Sequence, residues 1–76
     1  VEREIEQIIL SVEGVSEPHH LRTRRIGNNN AVEVHIRMDG KLSLQSAHHT
    51  TTVVERRLKE RFGEGTIVTI HTEPTK

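Results

Sequence analysis

Apolar positions fall into five segments along the chain, with two different periods. Val1, Ile5, Ile8, Ile9 and Val12 recur at helical spacing with Glu and Arg between them, which predicts an amphipathic helix from Val1 to Val12, closed by Gly14. Ser16 and Pro18 read as a loop, and Leu21 to Ile26 as an extended, strongly basic strand. The GNNN run from Gly27 to Asn30 tolerates left-handed backbone and predicts a hairpin turn. Beyond it Val32, Val34 and Ile36 alternate with Glu33, His35 and Arg37, the period of a strand with one buried face.

Asp39 and Gly40 end that strand, and Ser43 is placed to cap a second helix. In that helix Leu44, Ala47, Thr51, Val54, Leu58 and Phe62 share one stripe, and Gly63 stands where a C-terminal glycine belongs. TIVTIHTE is a final strand before Pro74. The order is therefore α-β-β-α-β. Two amphipathic helices need a shared apolar surface, and one face of a three-stranded sheet provides it. The expectation is an α+β fold in one domain spanning residues 1–76, with no repeat or internal linker.

Composition narrows what such a domain can do. The chain has 76 residues, 11 Lys+Arg against 11 Asp+Glu, six His, one Phe and no Cys, Trp or Tyr. Its core will be thin, and domains this small commonly need a disulfide, a metal or a partner subunit. Without Cys, disulfides and thiolate zinc sites are excluded. Zero net charge argues against a dedicated nucleic-acid or anionic-membrane binder. No apolar run reaches the ~20 residues of a membrane span, so the piece is expected to be soluble. It starts at Val1 rather than Met, as a fragment of a larger protein would.

The histidines then become the chemistry to follow. His71 and Glu73, two apart in a strand, project to one side, and His35 projects from the non-core face of the preceding strand. His19 sits where the chain enters the first strand, close enough to join them. Three imidazoles and a carboxylate form an ordinary nitrogen and oxygen environment for Zn²⁺. His48 adjoins the core stripe of the second helix, so a neighbouring subunit is one way to bring it to this set. His20 and His49 are supporting or substitute residues. Arg22, Arg24 and Arg25 are assigned to surface ion pairs in a charge-balanced chain, and Phe62 to the core.

The succession HHLRTRRIG, VEVHIRMDGKLSLQSAH, VVERRL and IVTIHTEP resembles the C-terminal cytoplasmic domain of cation diffusion facilitator transporters, the bacterial zinc and iron efflux proteins. The resemblance covers nearly the whole chain. It implies a metallochaperone-like (ferredoxin-like) fold and a homodimer beneath an N-terminal transmembrane domain of an inner or plasma membrane protein. It implies a regulatory role rather than an enzymatic one, with zinc bound between or beside the subunits. Carried onto these positions, it makes metal ligands of His19, His35, His48, His71 and Glu73. The family commonly has Asp where Glu73 stands, so the carboxylate here reaches about one bond further. It often has an acidic residue at Ser46, leaving Ser43 to cap alone, and Asp at His20. Co²⁺, Cd²⁺ and Ni²⁺ are substitutes for Zn²⁺ with such donors.

Three other classes fit parts of the pattern. A metal-independent structural dimerisation domain would carry the same pattern with an idle histidine set. A ferredoxin-like RNA-binding module reads bases on sheet aromatics, which this sheet lacks. A small metallohydrolase would need a pocket wall and an oxyanion loop, neither of which the sequence offers.

Overall fold

A computed structural model describes residues 2–75. The order is α1 (Glu2–Leu10), β1 (Ser16–Ile26), β2 (Asn29–Met38), α2 (Leu44–Phe62) and β3 (Ile67–Pro74). The strands form one sheet in the order β1-β2-β3. The hairpin β1–β2 is antiparallel, while β3 returns through α2 to lie parallel to β2, as a helical crossover allows.

The alternation in β2 decides which face carries what. Val32, Val34, Ile36 and Met38 are all at most 4% exposed, and they meet Ile5 and Ile9 of α1 and Val54 and Leu58 of α2. Both helices therefore cover one face of the sheet. Residues of β3 in register with these positions, Val68, Ile70 and Thr72, point the same way, while Thr69, His71 and Glu73 point outward with Glu33, His35 and Arg37. Outside the core, the helices are tied by the Glu4–Arg61 ion pair and by Arg57 donating to the Ser11 hydroxyl at 2.9 Å. Among the described residues no helix is long and apolar enough to cross a membrane.

Several expectations need correction. The first helix ends at Leu10, yet Val12 is still buried, at 5% exposure, in the turn that follows; Val1 lies outside the described residues. Strand β1 begins at Ser16 and runs through Pro18, five residues before the expected start. Proline is tolerated there because β1 is an edge strand whose outer side needs no amide donor. Two register shifts, between Ser16 and His19 and between His19 and Arg22, accommodate the irregularity, with Glu17 and His20 at positive φ. The hairpin turn is tighter than GNNN, because Ile26 already pairs with Asn29 and Gly27 takes φ +62°.

In α2 the Ser43 side chain accepts from the Ser46 amide at 3.1 Å, and the Gly63 amide donates to the Lys59 carbonyl at 2.7 Å. The helical stripe holds except at its start: Leu44 is 88% exposed, one turn before the helix meets the sheet. Arg22, Arg24 and Arg25 are exposed and, among the described residues, make no ion pair. Their nearest strand partner with a carboxylate is Glu33, opposite Arg22, and that carboxylate is engaged elsewhere.

Candidate metal centre

The outer face of the sheet gathers four of the six histidines at its β1–β2–β3 junction. His35, in the central strand, is in register with His19 on one side and His71 on the other. Strand pairing alone thus aligns three imidazoles in a row across the sheet. The His35 and His71 rings stack at 4.5 Å with 18° between planes, and the His19 and His20 rings lie 5.4 and 5.2 Å from that of His35. The positive φ at Glu17 and His20 belongs to the bulged stretch that delivers both neighbouring rings to this face.

Two carboxylates flank the row, Glu73 from one side and Glu33 from the other. Glu73 meets His35 Nδ1 through Oε2 at 2.9 Å and His19 Nε2 through Oε1 at 3.2 Å. Glu33 meets His71 Nε2 through Oε2 at 3.1 Å. Two donor atoms on one tetrahedral zinc, each about 2.0–2.1 Å from the metal, stand about 3.3 Å apart. The nitrogen–oxygen separations here already match that spacing, so a cation would replace the proton now shared in each contact. Ligand atoms of His19, His35 and Glu73, and of Glu33, His35 and His71, each lie within 4.8 Å of one another.

The ring of His19 shows how the strand fixes ligand orientation. Its Nδ1 is 2.7 Å from the Glu17 carbonyl, which accepts, so Nε2 is the atom presented to Glu73. With acceptors at both nitrogens, the ring is satisfied as an imidazolium or with a cation at Nε2. A histidine whose far N–H is held by a backbone carbonyl is the usual arrangement of a metal ligand.

The electrostatics of Glu73 agree with its position. Its carboxyl is held below the ordinary value of 4.5, chiefly by the hydrogen bond from His35, against partial desolvation, which raises it, and with help from the charges of His19, Arg37 and His35. Arg37 spans this carboxylate at 3.4 Å and Glu17 at 2.9 Å. Its Nε faces Glu17 off the N–H direction, making that contact an ion pair without a well-aligned hydrogen bond.

The remaining sequence candidates lie elsewhere. His48 is exposed and borders a cleft of about 480 Å³ between α2 and the helix-covered side of β3, beside Val68, Ile70 and Thr72. It is separated from the outer-face row by the sheet itself. His49 is exposed on α2, and His20 flanks His19 and His35 without a carboxylate partner among the described residues. Sequence reasoning placed Glu33 and Arg37 on the outer face but assigned them no part in the site. The signal was present, since each is two residues from His35 in an alternating strand.

The profile of the family described as cation efflux protein, cytoplasmic domain, matches residues 1–75. The chain is 39% identical over 72 residues to the cation-efflux pump FieF of Salmonella typhimurium (strain LT2), covering 95% of this chain and 24% of the pump's length. Among solved structures, the cytosolic domain of a cation diffusion facilitator family protein superposes with a TM-score of 0.85 at 32% identity, covering 96% of this chain and 87% of that one. The metal-bound C-terminal domain of the CzcD transporter from Thermotoga maritima gives 0.78 at 33%, covering 96% and 90%. Fold and sequence agree, and the chain belongs to the family of cation efflux protein cytoplasmic domains.

Proposed function

We propose that this domain is the regulatory part of a divalent-cation efflux transporter, that Zn²⁺ is the ion it senses, and that it works as a homodimer joined to an N-terminal transmembrane domain. The observation that carries this reading is the row of His19, His35 and His71 with Glu73 on one sheet face. Support comes from the 33% identity to a transporter domain that holds metal. Imidazole and carboxylate donors at these spacings suit Zn²⁺, with Co²⁺, Ni²⁺ and Cd²⁺ as substitutes.

Each step belongs to this chain's own residues. His19 presents Nε2 because Glu17 holds Nδ1, and Glu73 supplies the negative charge that offsets the cation. In a dimer whose two arms open as a V, His48 of one subunit completes the ligand set of the other. A cation that bridges the arms binds the closed form more tightly, and it shifts the equilibrium by that difference alone. A hundredfold preference corresponds to about 2.7 kcal/mol, with 1.4 per tenfold. Closure is then passed to the membrane helices that precede the domain.

Zinc titration by calorimetry of the native chain, His35→Ala and His71→Ala tests the ligand set, with sedimentation to follow dimer closure. Both variants should bind fewer ions or bind them more weakly. Unchanged stoichiometry and affinity in both would remove the assignment. A dimer that forms without metal and shows no thermal shift on adding zinc would favour the alternative, a metal-independent structural dimerisation domain.

A further inference from the structure

We propose that Arg37 is the resident cation of the metal centre, a fixed positive charge that neutralises Glu73 before an ion arrives and weakens the hold on that ion afterwards. The proposal rests on the metal-sensing reading above and gives the site a built-in limit on its affinity.

Strand register puts the charge there. Arg37 stands two residues beyond His35 on the outward side of β2, in register with Ser16 of β1 and Glu73 of β3. Its side chain is only 18% exposed and reaches both neighbouring strands. Nε lies 2.9 Å from Glu17 Oε2, Nη2 lies 3.4 Å from Glu73 Oε1, and Nη1 donates to the Pro74 carbonyl at 3.0 Å. The two carboxylates are met by charge more than by direction. Nε faces Glu17 off its N–H line, and the 3.4 Å to Glu73 exceeds the roughly 2.7–2.9 Å of a charge-assisted hydrogen bond. An arginine placed for its fork would instead clasp one carboxylate through two parallel bonds.

The same charge opposes an incoming ion. Glu73 Oε1 is shared between Arg37 and His19 Nε2. A cation held between that oxygen and His19, about 2.0 Å from the oxygen, stands within about 5.4 Å of Arg37 Nη2. At that distance one positive charge repels a dication by the equivalent of roughly tenfold in affinity, even with the dielectric constant of water. Glu17 tempers the repulsion, because its carboxylate shares the same guanidinium. The empty site is therefore neutralised in advance, and an ion binds against a charge that three contacts keep in place. A sensor that must empty again when the ion becomes scarce needs such a limit.

Zinc titration calorimetry on the 76-residue chain, comparing native protein with Arg37→Gln, Arg37→Lys and Glu17→Gln, tests this, with melting by circular dichroism in chelator beside it. Arg37→Gln should bind zinc about tenfold more tightly, while its metal-free form melts lower because Glu17 and Glu73 lose their shared cation. A residue that merely supported the site would lower affinity and melting temperature together. Arg37→Lys keeps the charge without the fork and should stay near native affinity. Glu17→Gln leaves the whole guanidinium charge to Glu73 and should bind zinc more weakly. Its side chain is exposed and the backbone carbonyl that holds His19 is kept, so this variant decides the matter if Arg37→Gln does not fold. The proposal is overturned by unchanged or weaker binding in Arg37→Gln, by equal tightening in Arg37→Lys, or by unchanged or tighter binding in Glu17→Gln; zinc binding by the native chain stands in each case. A native chain that takes up no zinc overturns this proposal and the proposed function together.

Discussion

Leu58 lies in α2 with no exposed surface, packed on the sheet face opposite the histidine row. Truncating it to Ala therefore tests the core without touching a ligand. A fully buried Leu→Ala change costs about 3 kcal/mol when the surroundings relax into much of the cavity, and up to about 5 when they cannot. At roughly 0.05–0.15 kcal/mol per residue, 76 residues give a total stability of about 4–11 kcal/mol, so the loss is a large share. Each kcal/mol moves the melting temperature of a domain this size by roughly 4–8 °C, which places the drop at about 12–24 °C. On the proposed metal centre, zinc at a hundredfold excess over its Kd should restore about 2.7 kcal/mol by linkage, nearly the whole deficit, from the side of the sheet opposite the damage. Melting curves by circular dichroism at fixed chain concentration, with chelator and with zinc, read both effects. In Leu58→Ala/His35→Ala most of the recovery should vanish, because His35 reaches both carboxylate clusters. A drop under about 5 °C would refute the account of the core, and zinc recovery undiminished in the double variant would refute that of the site.

Further outcomes follow from single contacts. Because the Glu73 carboxyl is held below its ordinary value by His35 first, its contribution to stability is complete above that value and disappears as pH falls through the depressed one; metal-free native and Glu73→Gln melting temperatures should converge on acidification, and a gap that widens would refute this. Zinc occupancy should fall on acidification, as protons compete with the cation for the imidazole nitrogens, and equilibrium dialysis between about pH 7.5 and 5.5 measures it. Ser43→Ala removes the side-chain acceptor for the Ser46 amide and should cost about 1 kcal/mol in urea unfolding, with zinc affinity unchanged. Gly63 occupies φ +113°, ψ +154°, a region open essentially to glycine, so Gly63→Ala should cost about 1–3 kcal/mol in the same assay.

The electrostatic character of the domain was legible in one respect and hidden in another. Equal numbers of acids and bases suggested that the arginines of β1 would be neutralised at the surface. In the fold the carboxylates are spent differently: Glu33 on His71, Glu73 on His19 and His35, and Glu17 on Arg37. Arg22 is left to solvent because Glu33 opposite it turns to His71, while Arg24 and Arg25 stand opposite Ala31 and Asn30, which offer no charge. Net charge counts groups without regard to where strand pairing puts them.

Element order, the buried face of β2, the Ser43 cap and the outward direction of His35, His71 and Glu73 were written in the sequence, because each depends on residues only two to four positions apart. Tertiary structure decided the rest. His35 and Glu73 are 38 positions apart, as are Glu33 and His71, and only the parallel register of β3 on β2 brings them together. Edge position, a property of the whole sheet, let β1 run through Pro18 and bulge His19 and His20 into the row. The sheet also separates His48 from that row, although helical periodicity had already put it beside the core stripe. Local periodicity says which way a side chain points; the pairing of distant strands says what it meets.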